Sequence, residues 1–227
     1  LLKPFSSYTC PIRFTISPAI SSGDLSSTST IKAAASSYRW YRDTFGGEYK
    51  ELDNGAAEVA LGSDGVMFHP YINGELTPYN DPLLCGSFIG VRAEHTKAHF
   101  TRAVLEGVSF SLLHSMKSLN ELKIPHDSFA TLIGGGAKGK LWKQITADML
   151  GITLKTTESS DSSFGSAMLA GIAVGVFKDA KDAVKKCVKV NDTVVPNPEN
   201  TAKYAELFKT YERVHDALAP IYKERAL

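Results

Sequence analysis

Thr131 to Leu150 reads TLIGGGAKGKLWKQITADML, and the fold turns on how this stretch is read. Strand-like residues Phe129 to Ile133 run into three consecutive glycines, Gly134, Gly135 and Gly136. Leu141, Ile145, Met149 and Leu150 then recur at helical spacing. A strand, a glycine turn and a helix in that order set free backbone N–H groups and the positive end of a helix dipole beside a surface bare of side chains. Such a surface suits a nucleotide. It equally suits a tight turn between two packed elements, and three glycines alone do not decide between them. No Gly-Lys-Ser/Thr closes the loop and no Gly-x-Gly-x-x-Gly is present, so two common phosphate-binding fingerprints are excluded.

Composition narrows the class. The chain of 227 residues is 43% hydrophobic and 22% charged, enough apolar material for a sizeable core in a globular protein. A formal net charge of +1 gives no reason to expect nucleic acid as a partner. Cys10, Cys85 and Cys187 are sparse and lack metal spacing, which fits reduced thiols and a cytoplasmic setting. No apolar run approaches the roughly 18 residues that would span a membrane. The chain begins Leu-Leu rather than with Met, as expected of a piece of a longer polypeptide or equally of processing.

Along the chain, Ile12 to Ile16 is a candidate strand set among Pro4, Pro11 and Pro18, and the Ser/Thr-rich 21–30 reads as loop. Residues 1–30 are therefore expected to be an irregular N-terminal segment. A helix is expected from near Thr30 to Gly46-Gly47, and a second from Glu48 to about Ala60. After a turn at Ser63-Asp64-Gly65 and a short strand, His69 to Pro82 has the Pro, Asn and Gly content of an ordered loop, either binding or connecting. A strand at Gly86 to Val91 precedes a helix from Lys97 to Leu122, capped by Thr96, with Phe100, Val104, Val108, Leu112, Leu119 and Leu122 on one stripe. Glu106 on it is either a solvated side chain or a buried group paired to another element. His95, His99 and His114 read as surface or packing residues.

Beyond the glycine turn, a strand is expected at Gly151 to Lys155. A small-residue helix, Phe164 to Phe177, reads as a tight-packing element. A charged helix (Asp179 to Lys186), a strand (Val188 to Val190) and a final helix (Thr201 to Lys223, ended or kinked at Pro220) complete the chain. Alternating strands and helices from about residue 64 to 190 favour an α/β layered domain.

Four motifs go further. Gly86-Ser-Phe-Ile-Gly90-Val91, then His99-Phe100-Thr-Arg-Ala103-Val104-Leu105-Glu106, resembles the second signature of the FGGY carbohydrate kinases. Phe68-His-Pro-Tyr71-Ile-Asn-Gly74-Glu75-Leu-Thr77-Pro78 resembles that family's Pro-Tyr…Gly-Glu-Arg-Thr-Pro segment. Leu132 to Ala137, with Trp142, Gln144, Ala147-Asp148 and Leu150-Gly151, resembles its adenosine segment. Ser36 to Asp43 resembles the helix after its phosphate loop. Within the family the combination is most similar to xylulokinases, with other ketose, polyol and sugar-acid kinases close behind.

The resemblance implies an actin-like, ribonuclease-H-like α/β domain, a mixed sheet flanked by helices, with residues 31–227 as the C-terminal nucleotide-binding domain. It implies ATP with Mg2+ as cofactors, and ATP, a sugar and an N-terminal kinase domain as partners, with a homodimer left open. Matched position by position, Gly136, Ala137 and Lys140 fall where the family contacts the adenosine part of ATP, Arg39 falls on a further nucleotide contact, and Gly135 is where the backbone must pass close to the ligand. Lys140 also reads as an ordinary solvated lysine in a first helical turn. No catalytic or metal-binding residue is assigned, because the family's catalytic aspartate and sugar contacts lie in its N-terminal domain. The chain departs from the family at Leu76, where arginine is usual, at Ala35, where glycine is usual, and in 12–30, which lacks the Gly-Thr-Ser/Thr-Gly phosphate hairpin. Two functions follow as alternatives: the ATP-binding half of a kinase, inactive alone, or a nucleotide-binding or interaction module without catalysis.

Overall fold

The structure, a computed structural model, describes residues 13–16, 27–30, 34–124, 128–133, 138–158 and 162–225. Strands β1 (Arg13–Ile16) and β2 (Ser27–Thr30) pair antiparallel. β1 falls where a candidate strand was read, and β2 occupies part of the stretch read as loop. Helices α1 (Ala34–Phe45) and α2 (Tyr49–Ala57) follow, then a single 3-10 turn (Ser63–Gly65) and the hairpin of β3 (Met67–His69) with β4 (Ser87–Ile89). Helix α3 (Lys97–Glu121) leads to β5 (Phe129–Thr131), α4 (Lys140–Leu150) and β6 (Thr153–Thr157). Helices α5 (Ser162–Ala173) and α6 (Ala180–Cys187), strand β7 (Val190–Val194) and helix α7 (Pro198–Arg225) close the chain. β5 and β6 run parallel and β7 joins β6 antiparallel, a mixed sheet flanked by helices.

The core is built around α3. From Thr101 to Leu112 every residue is buried, so the helix is enclosed rather than striped. The expected apolar stripe therefore describes only part of what it buries, and its last member, Leu122, lies past the helix end and is 70% exposed. Gly107 explains how α3 reaches β3: a Cβ there would sit 2.2 Å from the Phe68 carbonyl oxygen, a separation no side chain tolerates. Thr96 and His99 form the capping box at the start of α3, with the Thr96 N–H donating to His99 Nδ1 (3.1 Å) and His99 Nε2 donating to Asp64 (3.1 Å). His95 likewise accepts from the Arg92 N–H (2.9 Å), and His114 Nδ1 lies 2.8 Å from the Tyr79 hydroxyl. These histidines hold structure together, as the sequence led us to expect.

Glu106 is the buried alternative, not the solvated one. It is 3% exposed and accepts from Arg102 Nε (2.9 Å), the Tyr204 hydroxyl (2.9 Å), the Ser63 hydroxyl (3.0 Å) and the Gly62 N–H (3.0 Å). Arg102 also donates to the Ala56 and Val59 carbonyls (3.3 and 2.9 Å). One ion pair on α3 thereby fixes the end of α2, the 3-10 turn and α7.

Two further expectations change. Pro220 does not end α7, which continues to Arg225, and Pro198 opens that helix at a position where the missing N–H costs nothing. The small-residue helix α5 packs on α6 but leaves Leu169, and Val174 and Val176 just beyond it, at 68, 76 and 65% exposure. A Cβ placed on Gly165 would meet nothing within 4 Å. Gly171 does pack closely, since a Cβ there would lie 2.6 Å from the Phe177 ring, while Leu169 is left exposed. Among the described residues no helix is long and apolar enough to cross a membrane.

Glu106→Ala leaves a buried guanidinium without its carboxylate, and urea unfolding should show a loss of about 3–5 kcal/mol. A smaller loss would mean that the ion pair does not organise the core. The buried histidines make stability depend on pH. His69 is 1% exposed, donates from Nε2 to the Tyr211 carbonyl (3.2 Å), and is held by burial down to about 4. Burial lowers His114 and His215 in the same direction. The unfolded chain binds these protons near pH 6.5 and the folded chain does not, so stability falls as pH drops from about 6.5 towards 4, by on the order of 3 kcal/mol for His69. Thermal unfolding should show that fall, and His69→Gln should flatten it.

Candidate functional site

The glycine–glycine break at 46–47 folds α2 back beside α1, and together they face the N-terminal end of α4 across a cleft of about 390 Å3. Ala35, Tyr38 and Arg39 line it from α1, Tyr49 and Asp53 from α2, and Lys138, Gly139 and Trp142 from the start of α4. Its walls are aromatic. The Tyr38 ring stands edge-on to Trp142 (centroids 5.9 Å, 82°) and tilted against Tyr49 (5.1 Å), and the Arg42 guanidinium covers Tyr49 at 4.5 Å.

Each wall is fixed from behind. Trp142 is buried, and its indole N–H donates to the Ser109 hydroxyl of α3 (3.3 Å), which also bonds Thr146 of α4 (3.0 Å). The Tyr38 hydroxyl donates to Asp53 Oδ1 (2.6 Å). Burial pushes the Asp53 carboxyl above the usual carboxylate range, opposed by that hydrogen bond. Burial, reinforced by Asp53, pushes the Tyr38 phenol up. Gly139 permits the narrow passage between the walls, for a Cβ there would lie 3.3 Å from Asp53 Oδ2.

The expected site residues divide as follows. Arg39 lines the cleft and also a neighbouring surface depression with Trp40, Asp43 and Asn73. Lys140 is the first residue of α4 and exposed, but it does not line the cleft; it lies near enough to Asp192 to contribute to holding that carboxylate low, behind the ion pair that Lys143 makes with it. Gly135, Gly136 and Ala137 lie outside the described residues. Two motif residues turn out to be structural: Gln144 and Asp148 tie α4 to α7, with Asp148 accepting from Gln144 (2.7 Å), the Asn197 N–H (2.8 Å) and Asn200 (2.8 Å).

Tyr49, Asp53 and Lys138 were not foreseen. The one available signal was the i, i+4 spacing of Tyr49 and Asp53, which sets them on the same helix face. Among the described residues no group of three or more His, Cys, Asp or Glu could hold a metal ion.

The arrangement is an apolar slot with one carboxylate inside and the cations Arg39 and Lys138, both exposed, at its edge. A slot of this size and lining takes a flat heteroaromatic ring, and the helix end takes an anion attached to it.

The comparisons with known proteins converge. Residues 14–174 match the C-terminal domain of the FGGY family of carbohydrate kinases. The chain is 38% identical over 186 residues to a xylulose kinase of Staphylococcus epidermidis, covering 81% of this chain and 37% of that protein. It is 30% identical over 200 residues to a gluconokinase of Bacillus licheniformis, covering 83% and 39%. The crystal structure of ligand-bound xylulose kinase from Lactobacillus acidophilus superposes with a TM-score of 0.79 at 26% identity, covering 87% of this chain and 40% of that one. The chain thus spans about two-fifths of the length of these relatives, and its fold is that of an actin-like ATPase domain. It belongs to the FGGY family of carbohydrate kinases, as a C-terminal domain of that family.

Proposed function

We propose that this chain is the ATP-binding half of a carbohydrate kinase that transfers the γ-phosphate of ATP to a sugar hydroxyl, with D-xylulose as the acceptor. The observation that carries the reading is the cleft between α1–α2 and the N-terminus of α4, in a chain 38% identical to a xylulose kinase.

The residues present fit a nucleotide. Tyr38, Tyr49 and Trp142 give the base an apolar slot, Arg39 and Lys138 give its phosphates two cations, and Gly139 lets the α4 backbone come close. Lys140, one residue on and exposed, is placed to meet a phosphate that leaves the slot. Gly135, Gly136 and Ala137 complete the adenosine contacts on this reading. ATP would supply the phosphoryl group and Mg2+ would come with it, and Arg39, Lys138 and Lys140 are the cations of this chain that would meet its phosphates.

This chain's own work is binding and positioning: it holds the base, fixes the direction of the triphosphate and keeps water from one side of it. The base that takes the sugar's proton, an aspartate, belongs to an N-terminal kinase domain on this reading. The open apolar side of α5 supports a second domain, because Leu169, Val174 and Val176 are the kind of surface that a partner covers. The matched gluconokinase keeps gluconate as a second acceptor. A nucleotide-binding module without catalysis shares the same cleft and differs only in lacking turnover with any N-terminal half.

Two outcomes are expected. Calorimetry should detect ADP binding to the chain alone, and Arg39→Ala should weaken it by about three- to tenfold, the worth of one exposed charge–phosphate contact. No heat of binding would contradict the reading. The chain alone should not phosphorylate xylulose or gluconate in a coupled assay; turnover would place the catalytic carboxylate within these 227 residues.

A further inference from the structure

The cleft holds one acidic side chain, and its geometry leaves one oxygen to spare. Asp53 Oδ1 accepts from the Tyr38 hydroxyl at 2.6 Å. Oδ2 has no hydrogen-bond partner among the described residues, and it faces Gly139, where a Cβ would lie 3.3 Å from it. The Trp142 N–H is taken by Ser109, and Arg39 and Lys138 stand exposed at the edge.

This distribution orients whatever enters. A phosphate group cannot lie beside a carboxylate when cations are offered at the rim, so the phosphates face outward and the base faces Asp53. An ionised carboxylate only accepts hydrogen bonds. Oδ1 is engaged by Tyr38, and Oδ2 is the oxygen that stands open to the edge of the ring. A guanine turned with its 6-position to Asp53 would bring an oxo group against that negative charge. An adenine offers one donor, its 6-amino group.

We propose that Asp53 is the residue that selects adenine, its Oδ2 accepting from the 6-amino group, with Tyr38 holding the carboxylate in place. The proposal rests on the cleft being the nucleotide site. It makes α2 the source of base specificity as well as of one wall, beside those of α1 and α4.

The test uses the full chain and two probes, ADP and purine riboside 5′-diphosphate, which differ only in the 6-amino group. Calorimetry on the unaltered protein should give a preference for ADP of roughly tenfold to hundredfold, the worth of a hydrogen bond to a charged acceptor. Asp53→Ala should bring the two affinities to within about twofold of each other by weakening ADP alone, since only ADP has the donor to lose. Asp53→Asn keeps the volume and a neutral acceptor and guards against loss of the fold; it should reduce the preference severalfold, with thermal unfolding as the control. An unchanged preference in both variants, or equal loss of both probes, overturns the assignment while leaving the nucleotide site standing. A GDP affinity equal to that for ADP in the unaltered protein overturns it too. Failure of every nucleotide to bind the unaltered protein would instead remove the site itself, and the assignment with it.

Discussion

A single buried carboxylate sets the position of nearly everything else. Glu106 gathers Arg102 from its own helix, Gly62 and Ser63 from the turn before β3, and Tyr204 from α7, while Arg102 reaches the last carbonyls of α2. Burying an ion pair is not in itself stabilising, because desolvation offsets the attraction. What it enforces is geometry, since only one arrangement of α2, α3 and α7 satisfies all of these donors and acceptors at once. Gly107 beside it removes the side chain that would hold α3 off β3. The residue pair Glu106-Gly107 thus fixes both the depth and the rotation of the central helix.

That placement reaches the cleft by two routes. Through Arg102 and the end of α2 it sets where Tyr49 and Asp53 stand. Through Ser109, one turn along α3, it holds Trp142 and Thr146 and hence the start of α4. The aromatic slot therefore has walls from three helices that answer to one central element. A site built on packed helices keeps its shape better than one built on loops. The exposed cations at its edge, by contrast, are free to follow a charged ligand.

Much of this could be read from the chain itself. The alternation of strand and helix from about residue 64 to 190, the capping of α3 by Thr96 and the helix after the glycine turn all follow from local signals, which depend on neighbours in sequence. What could not be read depends on partners far away. Glu106 pairs with Arg102 at i, i+4, a spacing that also suits a solvated pair; burial follows from Tyr204, 98 residues on. Asp53 looks like a helix surface residue until α1 and α4 close round it. The small residues of α5 promised tight packing by composition, and Gly171 does meet Phe177, but composition does not say that Leu169, Val174 and Val176 stay exposed. The four motifs carried the family because each combines residue type with spacing; they did not reveal that Gln144 and Asp148 serve the junction with α7.

The function proposed for the cleft depends on a nucleotide base entering between Tyr38 and Gly139 with its phosphates directed past the start of α4. A crystal structure of the chain soaked with ADP tests this directly. Ring density is predicted between Tyr38, Tyr49 and Trp142, and diphosphate density beside Arg39 and Lys138. A slot filled by the protein's own side chains, or ADP bound on any other surface, would contradict it.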